Sequence, residues 1–328
     1  MSKRAKPKRR YFVRLRRLIG FDHHLMKLKR WWKQKLRKIL GNILGFDDVN
    51  YIAYNLLYEM QDVIANNRPL FVPRVATADE TFDELLHTEK SFARFGDGEF
   101  GMMFFGTQIG FQQRDELMLE RLKEVLVSQE PNLMIGLINV FGMQGLHSSH
   151  RAWAGKMRQH INPLLDETKQ YYDAGAMRTS LPEHYMKLKK IWAGKKVVTI
   201  EGSMCRLGVG NDLFDGASSF RRILAPAECA FSAYDRILTE ALKIEKDALF
   251  LIALGPTATV LTHDLHKAGY RAIDIGHLDI AYELFLRNKE QRMVAIEGKY
   301  VNEASYRAPA DCNDPNYLSQ IIVEVKLT

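Results

Sequence analysis

The stretch ALFLIALGPTATVLTHDLHKAGYRAIDIGHLD, residues 248–279, decides the fold class. It opens with the apolar run 248–254, continues through a Gly-Pro-Thr sequence into a helical pattern at 257–268, and ends in a second apolar run at 272–275. A short apolar run, a helix and another short apolar run in this order are typical of a β-α-β unit, in which the two strands run parallel.

The same alternation extends along the chain on both sides of this unit. Further strands are predicted at 92–95, 133–138, 197–201 and 222–225, with an edge strand at 321–325. Helices are predicted near 78–88, 114–128, 148–160, 183–193, 232–245 and 279–288. The pattern therefore predicts an α/β fold with a mostly parallel sheet and helices on both faces.

Charge divides the chain into an acidic body and a basic extension. Residues 1–40 hold 16 Lys/Arg and one acid, whereas the other 288 residues hold 31 Lys/Arg and 38 Asp/Glu, a net charge of −7. A body of this sign argues against binding of nucleic acid, which needs a positive footprint. The predicted divisions are a basic amphipathic extension at 1–45, a helical lead-in at 46–90 and the α/β domain at 91–328.

Apolar residues recur every three or four positions in the basic extension, with Trp31 and Trp32 among them. This spacing predicts a helix that lies on an anionic membrane surface, or one that packs on a membrane-bound partner. A solvated tail, or a helix packed on a partner subunit, is the simpler alternative. No apolar run has the length of a membrane span, the N-terminus lacks the apolar stretch typical of a signal peptide, and the three cysteines have no disulfide or zinc spacing. We therefore expect a cytoplasmic protein, peripheral at the inner face of the cell membrane.

The first predicted strand is followed by Arg94-Phe95-Gly96-Asp97-Gly98-Glu99. Two carboxylates separated by a glycine in a turn can converge on one hard cation, and Mg2+ or Mn2+ would suit their oxygens. The flanking glycines allow a ligand to approach the backbone closely. An ordinary acidic turn is the alternative.

The third predicted strand ends at Glu201 and leads into a glycine-rich loop. Its sequence is Arg206-Leu207-Gly208-Val209-Gly210-Asn211-Asp212. The two glycines permit tight turns that direct N–H groups inward, Arg206 can pair with a phosphate, and Asn211 or Asp212 can meet a ribose or a base. A capped structural loop fits these residue types equally well.

Two further strand ends carry candidate binding groups. Gly255-Pro256-Thr257 opens a helix whose N-terminus favours an anion, although Thr257 can also act only as a cap. His277 and Asp279 follow the last central strand, where they can bind a metal, contact a diphosphate or act as acid and base. His147, His150 and Arg151 are expected to reach the same edge of the sheet.

Read together, these four ordered motifs resemble the GT-D glycosyltransferases, a family of bacterial glycosylation clusters. The resemblance covers about residues 75–290. It implies a Rossmann-like domain and transfer of a hexose, typically glucose from UDP-glucose, onto a sugar acceptor with a divalent cation. By position it assigns the metal to Asp97 and Glu99, and it leaves the first 70 or so residues without a counterpart.

We therefore hypothesise that Mn2+ (or Mg2+) at Asp97 and Glu99 spans a UDP diphosphate, with Arg206 offsetting charge on the leaving phosphate. The loop Gly208–Gly210, the Gly255–Thr257 helix start and the first motif, with Arg94 and Gly96, would line the donor site. Asp279 or Glu201 would deprotonate the acceptor hydroxyl.

The expected partners are a nucleotide-sugar donor and a glycan acceptor in cell-envelope polysaccharide or glycoprotein assembly, with a lipid-linked glycan as one candidate acceptor. Two other functions stay open at this point. An S-adenosylmethionine-dependent methyltransferase also uses glycine-rich turns on such a sheet, and a non-catalytic membrane scaffold would depend chiefly on residues 1–45.

Overall fold

The computed structural model describes residues 73–138, 157–158, 160–288, 294–305 and 308–327. The basic extension at 1–45 and most of the predicted lead-in lie outside the described residues. So do most of the helix predicted at 148–160 and the side chains of His147, His150 and Arg151.

The described strands form one sheet of eight members. Their bounds are β1 Ser91–Phe95, β2 Leu133–Leu137, β3 Tyr172–Asp173, β4 Lys196–Gly202, β5 Ser219–Ala225, β6 Leu249–Ala253, β7 Arg271–Asp274 and β8 Ile321–Glu324. The order across the sheet is β3-β2-β1-β7-β6-β4-β5-β8, and every pairing is parallel. The carboxyl ends of all eight strands therefore lie along one edge, which we term the carboxyl edge.

Helices cover both faces of this sheet. Their bounds are α1 Ala78–His87, α2 Asp97–Phe105, α3 Glu116–Leu126, α4 Pro182–Trp192, α5 Tyr234–Ala241, α6 Pro256–Lys267, α7 Leu278–Leu286 and α8 Pro315–Gln320. On one face α1 packs on α4, and side chains of both join α7 in a single apolar cluster with the strands. On the other face α6 packs on β1 and β7, flanked by α3 and α5.

The buried strand residues explain why the sheet is covered on both faces. Strands β2 and β6 are buried at every position, as expected for parallel strands between two helical layers. In β1, Phe92 joins the cluster under α1 and α4, and the alternation of side chains along a strand turns Ala93 to the α6 face. The predicted α/β fold with a mostly parallel sheet is confirmed, and β8 is the edge strand that was predicted.

The structure differs from the sequence prediction at Asp97 and Glu99. These residues do not form a free turn, because α2 begins at Asp97 directly after β1. Glu99 Oε2 accepts a hydrogen bond from the Gly96 N–H at 2.7 Å and thereby caps the new helix. The two carboxylates consequently occupy the first turn of a helix, at the carboxyl edge.

The end of the predicted helical lead-in packs onto the sheet domain. Asp79 of α1 accepts a hydrogen bond from Lys187 of α4 at 2.9 Å, and Val75 forms an isolated parallel bridge with Tyr171. No helix within the described residues has the length and apolar character that crossing a membrane requires.

Candidate active site

Arg94 is fixed at the centre of the carboxyl edge, between the ends of β1 and β7. Its Nε donates to the carbonyl of Asp274 at 2.7 Å, its Nη2 to the Asp274 carboxylate at 2.9 Å, and its Nη1 to the carbonyl of Ala174 at 2.8 Å. Gly276 leaves room for this guanidinium, since a Cβ there would lie 1.9 Å from Arg94 Nη2, and its φ of +46° disfavours other residues. Arg94 therefore organises the site and has few donors left for a ligand.

Asp97 and Glu99 follow at the start of α2, where Glu99 is close enough to Arg94 for the two charges to interact. Asp97 is exposed, and its carboxylate makes no hydrogen bond or ion pair with any residue that the structure describes. Glu99 uses one oxygen for the helix cap. Burial, with repulsion from Asp274, raises the pKa of Glu99 to about 7, and the backbone hydrogen bonds and Arg94 oppose the rise.

The donor set at Asp97 and Glu99 suits a hard cation. Both groups offer carboxylate oxygens, and no Lys or Arg among the described residues forms an ion pair with either. The described part of the chain holds no group of three or more His, Cys, Asp or Glu side chains placed to bind a metal. A cation here would therefore take further oxygens from substrate phosphate and water, as Mg2+ commonly does.

His277 lies at the same point of the edge, directly after β7. Its Nδ1 lies 3.0 Å from Nη2 of Arg178, and its Nε2 lies 3.3 Å from Oε2 of Glu303. Arg178 also donates to Oε1 of Glu303 at 3.0 Å. Burial lowers the pKa of His277 to about 4; Glu303 opposes the shift, and the cations Arg178 and Arg94 add to it.

A second polar network lies between α7 and the glycine-rich loop. Asp279 accepts hydrogen bonds from the Gly208 N–H at 2.9 Å and from Asn211 Nδ2 at 2.8 Å. Lys299 donates to Asp279 at 2.7 Å and to Glu283 at 3.1 Å, and all three of these side chains are buried. The network fixes the glycine-rich loop against α7, because the loop backbone itself is a donor to Asp279.

Glu201 is also committed to the framework of the protein. It is fully buried and forms an ion pair with Arg222, while its other oxygen accepts from the Leu207 N–H at 2.7 Å. Arg222 donates in addition to the Leu207 carbonyl at 2.8 Å. These contacts hold the start of the glycine-rich loop to the end of β4.

Arg206 stands at the beginning of that loop with a positive φ of +53°. Its side chain is 7% exposed, and Nη1 donates to the Gly298 carbonyl at 2.7 Å. Its Nε has no hydrogen-bond partner among the described residues. Arg206 is thus a buried cation with an unused donor at the carboxyl edge.

The other residues predicted from the sequence make contacts within the fold. Thr257 is fully buried and its hydroxyl donates to Gln112 Oε1 at 3.3 Å, while Gly255, with φ +55°, lets Phe111 pack where a Cβ would collide. Gly210 has a φ of +81°. Asp212 accepts from Tyr282 and forms a 2.8 Å ion pair with Lys189 of α4, so its carboxylate is engaged outside the two networks.

The structure thus brings the motifs together in two groups. Arg94, Asp97, Glu99 and His277 lie near one another at the ends of β1 and β7, whereas Gly208, Asn211 and Asp279 are hydrogen-bonded between α7 and the loop after β4. Sequence reasoning missed Arg178, Glu303 and Lys299, which complete the two groups. No local pattern marks them, since each approaches its partners from a distant part of the chain.

An open parallel sheet with charged and glycine-rich loops along its carboxyl edge defines the Rossmann-like α/β class. Comparison with known proteins is more specific. Residues 92–304 match the family described as glycosyltransferase GT-D fold, so the chain belongs to the GT-D family of glycosyltransferases.

Two relatives carry glycosyltransferase names. The chain is 33% identical over 266 residues to a probable glycosyl transferase Gly of Streptococcus gordonii, with 76% of this chain covered. It is 30% identical over 290 residues to glycosyltransferase GlyD of Streptococcus pneumoniae serotype 4, with 82% covered. The matches span only 39% and 35% of the lengths of these two relatives.

Solved structures share the fold. One, described as a new glycosyltransferase (DUF1792) from Streptococcus sanguinis, is 31% identical with a TM-score of 0.69, covering 78% of this chain and all of that one. Another, described as a domain of unknown function 1792 with a distinct glycosyltransferase fold, is 28% identical with a TM-score of 0.71, covering 84% of this chain and all of that one. The Rossmann-like GT-D architecture expected from the motifs is confirmed.

Proposed function

We propose that this protein transfers a hexose from a nucleotide sugar to a glycan acceptor in a cation-dependent reaction. The proposed donor is UDP-glucose, and the hexose is glucose. Membership of the GT-D family supports the reaction class. The single observation that carries the proposal is the Asp97–Glu99 pair, which offers carboxylate oxygens free of cationic ion-pair partners among the described residues, beside Arg94 and His277.

In the proposed site Asp97 and Glu99 hold Mn2+ or Mg2+. A bound cation of this kind offsets the charge that develops on a leaving diphosphate. Glu99 must lose its proton to bind a cation, and its pKa of about 7 places that loss near neutral pH. Its capping bond to Gly96 restrains the carboxylate at the start of α2.

Arg206 is the proposed phosphate ligand of the chain. Its Nε is an unused donor in a nearly buried guanidinium, and a guanidinium pairs well with phosphate oxygens. At the start of α6 the Thr257 hydroxyl already donates a hydrogen bond to Gln112. Phosphate binding at this point would therefore depend on the backbone N–H groups of the first turn of the helix.

The contacts of Asp279 and Glu201 support a structural role for both residues. The sequence suggested either as the base for the acceptor hydroxyl. Both carboxylates are fully buried, and every oxygen accepts from the chain itself: from Gly208, Asn211 and Lys299 at Asp279, and from Arg222 and Leu207 at Glu201. Their contacts favour a role in positioning the glycine-rich loop, and we assign them that role.

The acceptor and the location are proposed from the sequence of the extension. A basic segment with regularly spaced apolar residues would bring the enzyme to an anionic membrane, or to a membrane-bound complex, at the cytoplasmic face. A lipid-linked glycan would be the acceptor at such a surface, and a glycosylated protein is the other substrate class that fits.

A donor screen tests the proposal. Purified protein is incubated with UDP-, GDP- and TDP-sugars and a mixture of glycan acceptors, with Mn2+ or with EDTA, and release of the nucleoside diphosphate is followed. We expect release with one UDP-sugar, and loss of it in EDTA. A chain that is stabilised by S-adenosylmethionine instead, and by no nucleotide with Mn2+, would contradict the proposal in favour of methyl transfer.

A further inference from the structure

Residues 294–305, which we term the strap, cross the carboxyl edge of the sheet. The Tyr300 N–H donates to the carbonyl of Met204, after β4, at 2.9 Å, and the Tyr300 hydroxyl donates to Glu228, after β5, at 3.2 Å. The strap therefore links loops that follow separate strands, and its last turn reaches the loop after β7.

The strap is anchored in the interior of the protein. Lys299 places its ammonium group between Asp279 and Glu283, where it is 4% exposed. Ile296 and Val301 are buried in an apolar cluster with two residues of α7, Ile280 and Leu284. A buried ion pair together with apolar packing leaves the residues between and next to these anchors little freedom.

The anchored strap places Glu303 next to His277. One Arg178 nitrogen, Nη2, lies within 3.0 Å of both His277 Nδ1 and Glu303 Oε1, and the second carboxylate oxygen lies 3.3 Å from His277 Nε2. Each of the three side chains therefore contacts the other two. Arg178 comes from a short 3-10 turn, Ala176–Arg178, packed near α7.

The chemistry of these groups determines where the histidine proton lies. A guanidinium can only donate, so Nδ1 of His277 must be the acceptor of the Arg178 hydrogen bond. In a neutral imidazole the proton is then on Nε2, which is the nitrogen that faces the Glu303 carboxylate. Burial and the two nearby arginines favour the neutral ring.

We propose that Arg178 and Glu303 are positioning residues that hold His277 as the Nε2–H tautomer in a fixed orientation. The inference deepens the proposed glycosyl transfer and rests on it for its catalytic meaning. Because Nδ1 accepts from Arg178 and Nε2 carries the proton, His277 has no free lone pair with which to act as a base, and its Nε2–H can contact a substrate oxygen only by sharing that hydrogen with Glu303.

Nitrogen spectroscopy of the full chain tests the tautomer without reference to activity. Histidine is labelled with 15N, long-range 1H–15N spectra are recorded, and the His277 signals are assigned by their absence in His277→Gln. The wild type is expected to show the Nε2–H pattern. Arg178→Met and Glu303→Leu are each expected to show mixed tautomers, because each removes one of the two constraints.

Conservative variants separate positioning from general damage. Glu303→Gln keeps an acceptor oxygen opposite Nε2 and Arg178→Lys keeps a donor opposite Nδ1, so both are expected to retain the wild-type tautomer. Arg74→Met is the control, since Arg74 makes a similar surface ion pair, with Glu80, in a distant helix cap. Thermal melting by circular dichroism confirms that each variant is folded.

Turnover gives the second readout. In Arg178→Met and Glu303→Leu, kcat is expected to fall by about tenfold or more, as it does when the partners that orient a functional histidine are removed, with smaller effects on the donor KM. Glu303→Gln should recover most of the loss. Wild-type tautomer signals in both disruptive variants, or altered signals with unchanged kcat, would overturn the inference. If the wild type turns over no nucleotide sugar, the proposed function fails, and the spectra still decide whether Arg178 and Glu303 hold the tautomer.

Discussion

The Asp97–Glu99 pair and the Asp279–Glu283 pair lie along the same edge of the sheet, each beginning in the first turn of a helix, and their surroundings are opposite. Lys299 forms ion pairs with both Asp279 and Glu283 in the interior. Neither Asp97 nor Glu99 has a cationic partner at ion-pair distance among the described residues, and Asp97 is exposed. A carboxylate pair that already has its cation serves the framework, and a pair that lacks one can bind a cation from solution.

The largest expected effect comes from breaking the internal pair. Lys299→Met leaves the buried Asp279 without a cation and Glu283 with Arg287 alone, and removal of one partner from a buried ion pair typically costs about 3–5 kcal/mol. The free energy of unfolding, measured by urea denaturation, should fall by that amount. Lys196→Met, which removes an exposed pair with Asp247, is the control and should leave the urea midpoint almost unchanged. Equal shifts of the urea midpoint in Lys299→Met and Lys196→Met would mean that the buried ion pair stabilises the fold no more than the exposed one does.

The next effect concerns activity. Asp97→Asn keeps the size of an exposed side chain but removes its charge, so the cation site should be weakened without loss of stability. Removal of one electrostatic element of an active site typically lowers kcat by about 100-fold. UDP release from the preferred donor, with Mn2+ titrated over a wide range, measures the loss. Full turnover in Asp97→Asn at low Mn2+ would remove Asp97 from the proposed cation site.

The two pairs should also respond to pH with opposite signs. The pKa of Glu99 is raised to about 7, so between its unfolded value of 4.5 and pH 7 the folded chain holds a proton that the unfolded chain has lost. Its contribution to the free energy of unfolding therefore decreases as pH rises through that window, by up to about 1 kcal/mol per pH unit.

Glu283 should behave in the reverse way. Burial alone would raise its pKa, but hydrogen bonds from Asn211 and Lys299 and the charge of Lys299 lower it overall. Its contribution is present above pH 4.5 and is lost as pH falls through its folded pKa. Urea denaturation of Glu99→Gln and Glu283→Gln against wild type from about pH 3 to 8, in EDTA, isolates each residue, because the Glu283 window lies below pH 4.5 and the Glu99 window lies above it. Differences that change with pH in the same direction would contradict the comparison.

The smallest expected effect comes from the two cationic partners of Glu283, one of which is buried and the other partly exposed. Glu283 contacts the buried Lys299 and also Arg287, which lies one turn further along α7 with its side chain 45% exposed. Only the Arg287 side of this pair is exposed, and we take the value of about 0.3–0.5 kcal/mol for i,i+4 pairs on helices as its contribution. Arg287→Met should therefore shift the free energy of unfolding by roughly a tenth of the Lys299→Met effect. A comparable loss in both variants would mean that burial does not set the strength of these ion pairs.

The sequence predicted most of the fold because the periodic signal is strong in this chain. The apolar runs at 133–138 and 248–254 correspond to β2 and β6, and the helical pattern at 257–268 to α6. The two-residue strand β3 is too short to produce a pattern. The six-residue helix α8 was also missed, although Asp314 and Pro315 are ordinary residues for a helix start.

The location of the candidate site could be predicted from the sequence, but the hydrogen-bond and ion-pair partners of its residues could not. Strand ends with glycine and acidic residues indicated the carboxyl edge, which is a property of local sequence. Whether a carboxylate pairs with a cation depends on residues that are distant in sequence. Glu303, for example, lies 125 positions from its cationic partner Arg178. For the same reason the sequence could not show that Asp279 is buried against Lys299 while Asp97 is exposed.

The most direct test of the account is the dependence of UDP binding on Mn2+, measured by calorimetry on the wild type and on Asp97→Asn. We expect UDP to bind to the wild type at least about tenfold more tightly with Mn2+ than with EDTA, because a cation held by the carboxylates would also attract the diphosphate. In Asp97→Asn most of that difference should disappear. Equal affinities with and without Mn2+ in the wild type would contradict the central claim.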